Sequence, residues 1–384
     1  MLSDLRRFAH ATVLGAGTMG AQIAAHLANA GIPCLLLDLT AQAARDGLER
    51  ARRLKPDPFF TPDAHRLVTT GSFDADLAAV ARSDWIVEAI VERLDAKRDL
   101  YARLEAHRRA DAIVSSNTSG IPIAALVEGR AEAFRRHFLG THFFNPPRYL
   151  PLLELIPSRD TDPAVIDTMR AFADHRLGKS VVVAKDTPGF IGNRLGLYGV
   201  ARLLEMLEHG WTIEEIDAVT GPPMGRPKSA TFRTMDLAGL DILLHVATDL
   251  ASRLGDEERD AFRLPGFVHA LVRRGWTGEK AGRGFYRRAP AEEGGGLLVL
   301  DPATLEYRPV RPVSLPSLEA ARAIDLLANA LGAWQPAAAP VDNHVAPLPP
   351  LEGIRRRHVT MPGKTQTDLV LGAPALRRDD PEFL

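Results

Sequence analysis

The chain has 384 residues, 46% of them hydrophobic, enough for roughly two to three cored domains by the length prior. Its 47 basic and 48 acidic residues almost cancel, with a pI near 6.9, so no chain-wide charge favours nucleic acid or an anionic membrane surface, and a small-molecule partner is expected. The single cysteine, Cys34, rules out an internal disulfide; within IPCLLLD it reads as a small buried hydrophobe, in keeping with a reducing cytoplasm.

Residues 11–22 read ATVLGAGTMGAQ, and Ala11 to Leu37 carry no formal charge, with Arg6 and Arg7 just upstream. A secretion signal is the rival reading, but Gln22, His26, Asn29 and the glycines interrupt the apolar run, which also excludes a membrane span. The pattern is strand, glycine turn, helix (AQIAAHLANAG), then a second strand, PCLLLD, ending at Asp38. In such a unit Gly15 permits the tight turn, Gly17 lets the backbone approach a pyrophosphate and Gly20 lets helix pack on strand, while Thr18 and Met19 open the helix whose N–H groups face the phosphates. An acid where Asp38 stands accepts hydrogen bonds from the adenosine ribose and repels a 2′-phosphate, so NAD is expected over NADP. A glycine-rich turn in a ligand-free α/β unit is the alternative.

Three further segments continue the alternation: DWIVEAIVE (84–92) as a buried strand, AKRDLYARLEAHRR as an amphipathic helix, and AIVSSNTSG (112–120) as a strand running into a polar turn. Strands alternating with helices predict a doubly wound, mainly parallel Rossmann-type sheet whose ligands gather beyond the carboxyl ends of the strands. Glu92, Lys97, Ser116, Asn117 and Ser119 belong near that rim, where each could equally be a helix cap or a solvated loop residue. Next, GTHFFNPPRYLPLLELIP (140–157) places one acid, Glu154, among leucines and an isoleucine. A carboxylate there needs a partner. His142, twelve residues earlier, could supply it if the two strands fold back on each other; the carboxylate would then fix the imidazole tautomer and poise the other ring nitrogen for proton transfer. A satisfied core histidine is the competing reading.

Taken together, VLGAGTMG, DWIVEAIVE, SSNTSG, THFFNPP, LLELIP and KDTPGFIGNR (185–194) resemble, in order and spacing, the L-3-hydroxyacyl-CoA dehydrogenase family of fatty-acid β-oxidation, over roughly residues 8 to 290. The resemblance implies that His142 takes the substrate hydroxyl proton while hydride leaves for NAD, with Glu154 as its partner. It implies substrate-binding roles for Ser119, Asn145 and Asn193, and cofactor-side roles for Glu92, Lys97 and Asn117. Its substrate class is an acyl-CoA thioester and its compartment here the cytoplasm, with no nucleic acid, membrane or metal. A dehydrogenase of a smaller hydroxy acid or of carnitine, or a non-catalytic NAD-binding module, are the alternatives.

From Pro188 the pattern turns helical. PGFIGNRLGLYGVARLLEMLEHG is a long amphipathic stretch, Thr212 to Glu215 has capping-box spacing, and no strand is expected before residue 297. The resemblance reads residues 1–187 as the NAD-binding domain and 188–290 as an all-α substrate domain carrying a homodimer contact. PMGRPKSATFRTMDLAGLD (223–241) has about five residues more than the family pattern, an insertion resembling longer bacterial enzymes, and its Arg226 and Lys228 are candidates for CoA phosphates. LLVLDPATLEYR (297–308) reads as a hairpin, opening an extension over 291–334 that continues with the helix LEAARAIDLLANALGAW. The tail, 335–384, starts in a proline-rich linker, is expected to be irregular, and weakly resembles an interior piece of pitrilysin-type metallopeptidases without any H-x-x-E-H motif. A truncated dehydrogenase with a foreign tail is the expectation.

Overall fold

Eight short strands form the main sheet: β1 (Ala11–Leu14), β2 (Cys34–Asp38), β3 (Val68–Ser72), β4 (Trp85–Glu88), β5 (Ile113–Ser116), β6 (Phe138–Phe143), β7 (Leu152–Pro157) and β8 (Ser180–Val183). The computed structural model describes residues 8–290 and 294–315, all within one compact unit, Met1–Ala323. The expected helix at 318–334 and the tail at 335–384 lie outside the described residues.

The strand order is β3-β2-β1-β4-β5-β6-β7-β8, and every pairing is parallel except the antiparallel β6–β7. Parallel neighbours need helical crossovers, and α1 (Thr18–Asn29), α2 (Ala41–Arg52), α3 (Leu94–Glu105) and α4 (Pro163–His175) are the longest helices of this half. Side chains alternate across the sheet: Val13, Trp85 and Val87 enter a core with Ile23, Leu27, Met169 and Phe172, while Leu14, Ile86 and Val114 enter another with Tyr101, Leu104 and Phe134. The chain direction reverses beside β1, whose neighbours are β2 and β4, so the glycine turn after β1 sits at the switch point where such sheets open a crevice.

The structure corrects the expected strand at 84–92, which stops at Glu88. The apolar residues beyond it, Ala89 to Val91, are a loop that packs against Gly15 and lines a cavity. β3 and β8 are additional strands at the two sheet edges.

The second half packs α5 (Gly192–Glu208), α6 (Ile213–Thr220), α7 (Phe232–Ala238), α8 (Leu240–Arg253) and α9 (Gly266–Arg273) around a core of Leu204, Phe232, Leu240, Val268, Leu271 and Phe285. α6 opens with the expected capping box: Thr212 Oγ1 accepts the Glu215 N–H, and the Glu215 carboxylate accepts the Thr212 N–H at 2.9 Å. The expected hairpin is present as β10 (Leu297–Asp301) and β11 (Glu306–Pro309), but β9 (Tyr286–Arg288) pairs with β10 and makes a three-stranded sheet. The stretch 188–290 is therefore not wholly helical. A three-residue strand is too short to show alternation, and its partner's backbone supplies the pairing.

Candidate functional site

At the switch point the glycine turn is shaped by contacts that exclude any side chain. Gly15 has φ +102°, and a Cβ there would lie 2.6 Å from the Ala89 carbonyl oxygen; a Cβ on Gly20 would lie 1.8 Å from the Gly15 carbonyl oxygen. Around Gly17 no protein atom stands within 4 Å of the Cβ position, and no side chain caps α1. The loop closes on the sheet at two points and leaves its middle glycine facing open space, which is the arrangement a pyrophosphate over a helix N-terminus requires. Thr18 is exposed and Met19 half-buried at the same helix start.

Asp38 ends β2 beside this turn. Its Oδ2 accepts the Ala16 N–H and its Oδ1 the Leu39 N–H, both at 2.7 Å. A cavity of about 420 Å³ continues from it, lined among others by Gly15, Gly17, Asp38, Ile90 and Arg103.

Behind the cavity β4 ends in a fully buried acid, Glu88, which the sequence reading did not single out. Its Oε1 takes the Lys97 ammonium at 2.7 Å and the Ile90 N–H, and its Oε2 accepts from Tyr101 and Ser116, each at 2.6 Å. Lys97 is only 1% exposed. It therefore acts on the rim through Glu92, whose Oε2 it meets at 3.2 Å. Burial alone would raise the Glu92 pKa, but the Lys97 charge, with hydrogen bonds from Thr118, Ser119 and Lys97, holds it below the usual carboxylate range. Signal for Glu88 was present: an acid inside an apolar run, the same cue that marks Glu154.

His142 and Glu154 stand opposite each other in the β6–β7 register, and His142 Nδ1 lies 2.7 Å from Glu154 Oε2. They are 6% and 1% exposed. The antiparallel pairing, set by the turn through Asn145–Pro147, is what brings residues twelve apart face to face. Phe144 and Phe190 flank the imidazole, with ring centroids at 4.6 and 5.8 Å, and no described residue hydrogen-bonds its Nε2. The other oxygen of Glu154 accepts the N–H groups of Ile191 and Gly192, at 2.9 and 2.8 Å, where α5 begins. Desolvation would raise the Glu154 pKa; the His142 hydrogen bond and these N–H donors outweigh it and keep the carboxyl below its ordinary range. The pair thus holds a charged acceptor against one ring nitrogen and leaves the other for a proton in transit.

The remaining candidates join these two groups. Asn117 takes the Glu88 carbonyl through its N–H and accepts the Phe143 N–H on Oδ1. Ser119 donates its N–H to Glu92, and its carbonyl accepts Asn193 Nδ2 at 3.2 Å, so Asn193 on α5 touches the β5 rim. Asn145 is exposed, with Oδ1 held at 3.1 Å by Gln22 of α1.

Residues 10–187 match the family described as 3-hydroxyacyl-CoA dehydrogenase, NAD binding domain, and residues 189–288 match 3-hydroxyacyl-CoA dehydrogenase, C-terminal domain. A probable 3-hydroxyacyl-CoA dehydrogenase of Deinococcus radiodurans is 49% identical over 291 residues, 74% of this chain and 84% of that protein. Another, of Bacillus subtilis, is 44% identical over 334 residues, 81% of this chain; the chain spans only 42% of that relative's length. Among solved structures, the (S)-3-hydroxybutyryl-CoA dehydrogenase of Ralstonia eutropha is similar with a TM-score of 0.62 at 27% identity, over 72% of this chain and 98% of that one. M. tuberculosis FadB2 gives a TM-score of 0.63 at 30% identity, over 73% and 99%. Cofactor half and helical half match in sequence order with a single residue between them, and the chain accordingly belongs to the 3-hydroxyacyl-CoA dehydrogenase family of NAD-dependent oxidoreductases.

Proposed function

We propose that the chain oxidises (S)-3-hydroxyacyl-CoA to 3-ketoacyl-CoA, and the reverse, in fatty-acid β-oxidation in the cytoplasm, with His142 as the acid–base group. NAD, when bound, supplies the acceptor for the hydride that leaves the alcohol carbon. His142 Nε2 accepts the hydroxyl proton as the C=O bond forms, and Glu154 stabilises the imidazolium that results and keeps Nδ1 as the donor toward itself. In the reverse direction the same nitrogen returns the proton. Ser119, Asn145 and Asn193 bind the thioester's acyl end. Asp38 takes the adenosine ribose of the cofactor, whose pyrophosphate rests over Gly17 and the opening turn of α1 at Thr18 and Met19. Glu92, steadied by Lys97, and Asn117 border the nicotinamide side.

The observation that carries this reading is the buried 2.7 Å His142–Glu154 contact with Nε2 left without a protein partner. A core histidine would be expected to satisfy both nitrogens. Residues 1–187 and 188–290 serve as cofactor and substrate domains, and 291–334 as an extension. A homodimer through the helical half is part of the same proposal; Leu195 and Tyr198 on α5 and Ile242 on α8 are exposed apolar side chains there.

Acetoacetyl-CoA with NADH, followed at the nicotinamide absorbance, tests the activity. Turnover of the thioester and none of free acetoacetate is expected. Tight NADH binding without turnover of either would reduce the chain to a cofactor-binding module, and preference for the free acid would shift the substrate class.

A further inference from the structure

The loop between β6 and β7, residues 144–151, is poor in donors. Pro146, Pro147 and Pro151 have no N–H, and the Tyr149 and Leu150 N–H groups both turn back to the Pro146 carbonyl. What closes this loop from beneath is Lys179, in the turn between α4 and β8. Its ammonium donates to the Pro147 carbonyl and, at 2.9 Å, to the Leu150 carbonyl. It also stands 5.6 Å from the centroid of the Phe143 ring, next in chain to His142. Lys179 is 2% exposed, and no carboxylate pairs with it among the described residues. A buried lysine without a counter-ion is costly. Burial pulls its pKa down to about 8, and the neighbouring His26 is held neutral in part by its charge. Helix packing does not need that ammonium: the Lys179 and Ser180 N–H groups already anchor the turn to Ala173 and Pro151.

We propose that Lys179 is a positioning residue, whose ammonium holds the Pro147 and Leu150 carbonyls so that the loop presents Asn145 to the substrate. This rests on the reading of Asn145 as a substrate-binding residue. Lys179 itself touches neither substrate nor cofactor.

Lys179→Met in the full chain keeps the side-chain length and removes the donors. The expected result is a KM for acetoacetyl-CoA raised about ten-fold, the size of one lost charge-assisted hydrogen bond, with kcat and NADH affinity within about three-fold of the parent. Loop position and general stability separate in a double-mutant cycle with Asn145→Ala: acting through Asn145, Lys179→Met adds little in that background, whereas independent effects add. Amide hydrogen exchange gives a second measure free of catalysis. Tyr149 and Leu150 should exchange faster in Lys179→Met while β6 and β7 exchange as before. Should Lys179→Met not fold, Lys179→Gln, with a donor of shorter reach, replaces it under the same expectations. Additive effects on KM, or unchanged exchange at Tyr149 and Leu150, overturn the proposal. If the parent turns over no thioester, the substrate reading fails by itself, and the loop exchange alone then upholds or overturns the role of Lys179.

Discussion

Asp38 commits both carboxylate oxygens to backbone N–H groups, one in the glycine turn and one just past β2, so its loss loosens the turn as well as removing the ribose acceptor. Asp38→Ala should weaken NAD binding about ten-fold, a hydrogen-bond-sized loss, and narrow the gap between NAD and NADP. Titration with the two cofactors checks this, and equal catalytic efficiency with both in the parent would remove the selectivity argument. His142→Gln should lower turnover by ~10²–10⁴-fold, the usual worth of a positioned acid–base group, while NADH affinity stays within a few-fold. Glu154→Gln should cost less, because one amide oxygen can still serve either His142 or the α5 N–H groups, though not both. A His142→Gln enzyme of near-normal turnover would make this histidine a packing residue. Asp38, the glycines and the His142–Glu154 pair were legible in the sequence because each is set by short-range spacing. Glu88 and Lys179 were not, since each stands alone in an apolar stretch and meets its partners only after distant segments fold together.

At the level of elements, what sequence periodicity concealed lies at the edges. β3 (VTTGS) and β8 (SVVV) close the two sides of the sheet, and β8 is largely exposed. An edge strand has one backbone side unpaired and one neighbour to pack on, so it needs neither the long apolar run nor the alternation that revealed the central strands. The inserted loop of the helical half behaves as a built turn. Gly225 is left-handed, and Arg226 Nη1 donates to Thr231 Oγ1 at 2.8 Å. Arg226 and Lys228 are both exposed, and they are the cations offered here to the CoA phosphates. The double variant Arg226→Ala/Lys228→Ala should raise KM for a CoA thioester by about ten-fold and leave that of a pantetheine analogue unchanged; an equal ratio in parent and variant would end that role.

For the molecule as a whole, two buried groups set opposite pH limits. His26 is driven down from 6.5 to about 4 by desolvation and then by the Lys179 charge; folding favours its neutral form, so its stabilisation is complete above pH 6.5 and is lost as pH falls toward 4. Asp236, buried beneath the β9 turn where it accepts the Phe285 and Tyr286 N–H groups, is raised to about 6 chiefly by desolvation. Its protonated form favours the fold, and that contribution is lost as pH rises from about 4 to 6. Relative to His26→Gln, the parent should lose up to about 3 kcal/mol between pH 6.5 and 4 in denaturant titrations. A difference flat across that range would show His26 to be charged or solvated in the fold.

The carboxylate of Glu154 belongs to two parts of the molecule at once, one oxygen on the imidazole of the sheet and the other on the opening N–H groups of α5. Cofactor affinity is written into the sheet and is available as soon as the sheet exists. Proton transfer is written into a seam, and its timing follows the docking of the helices: until α5 arrives, the base partner has an unfilled oxygen, a higher proton affinity and no fixed direction. Chemistry in this enzyme is thereby the last property to be acquired during assembly and the first to be given up when the two halves loosen, well before either half has unfolded.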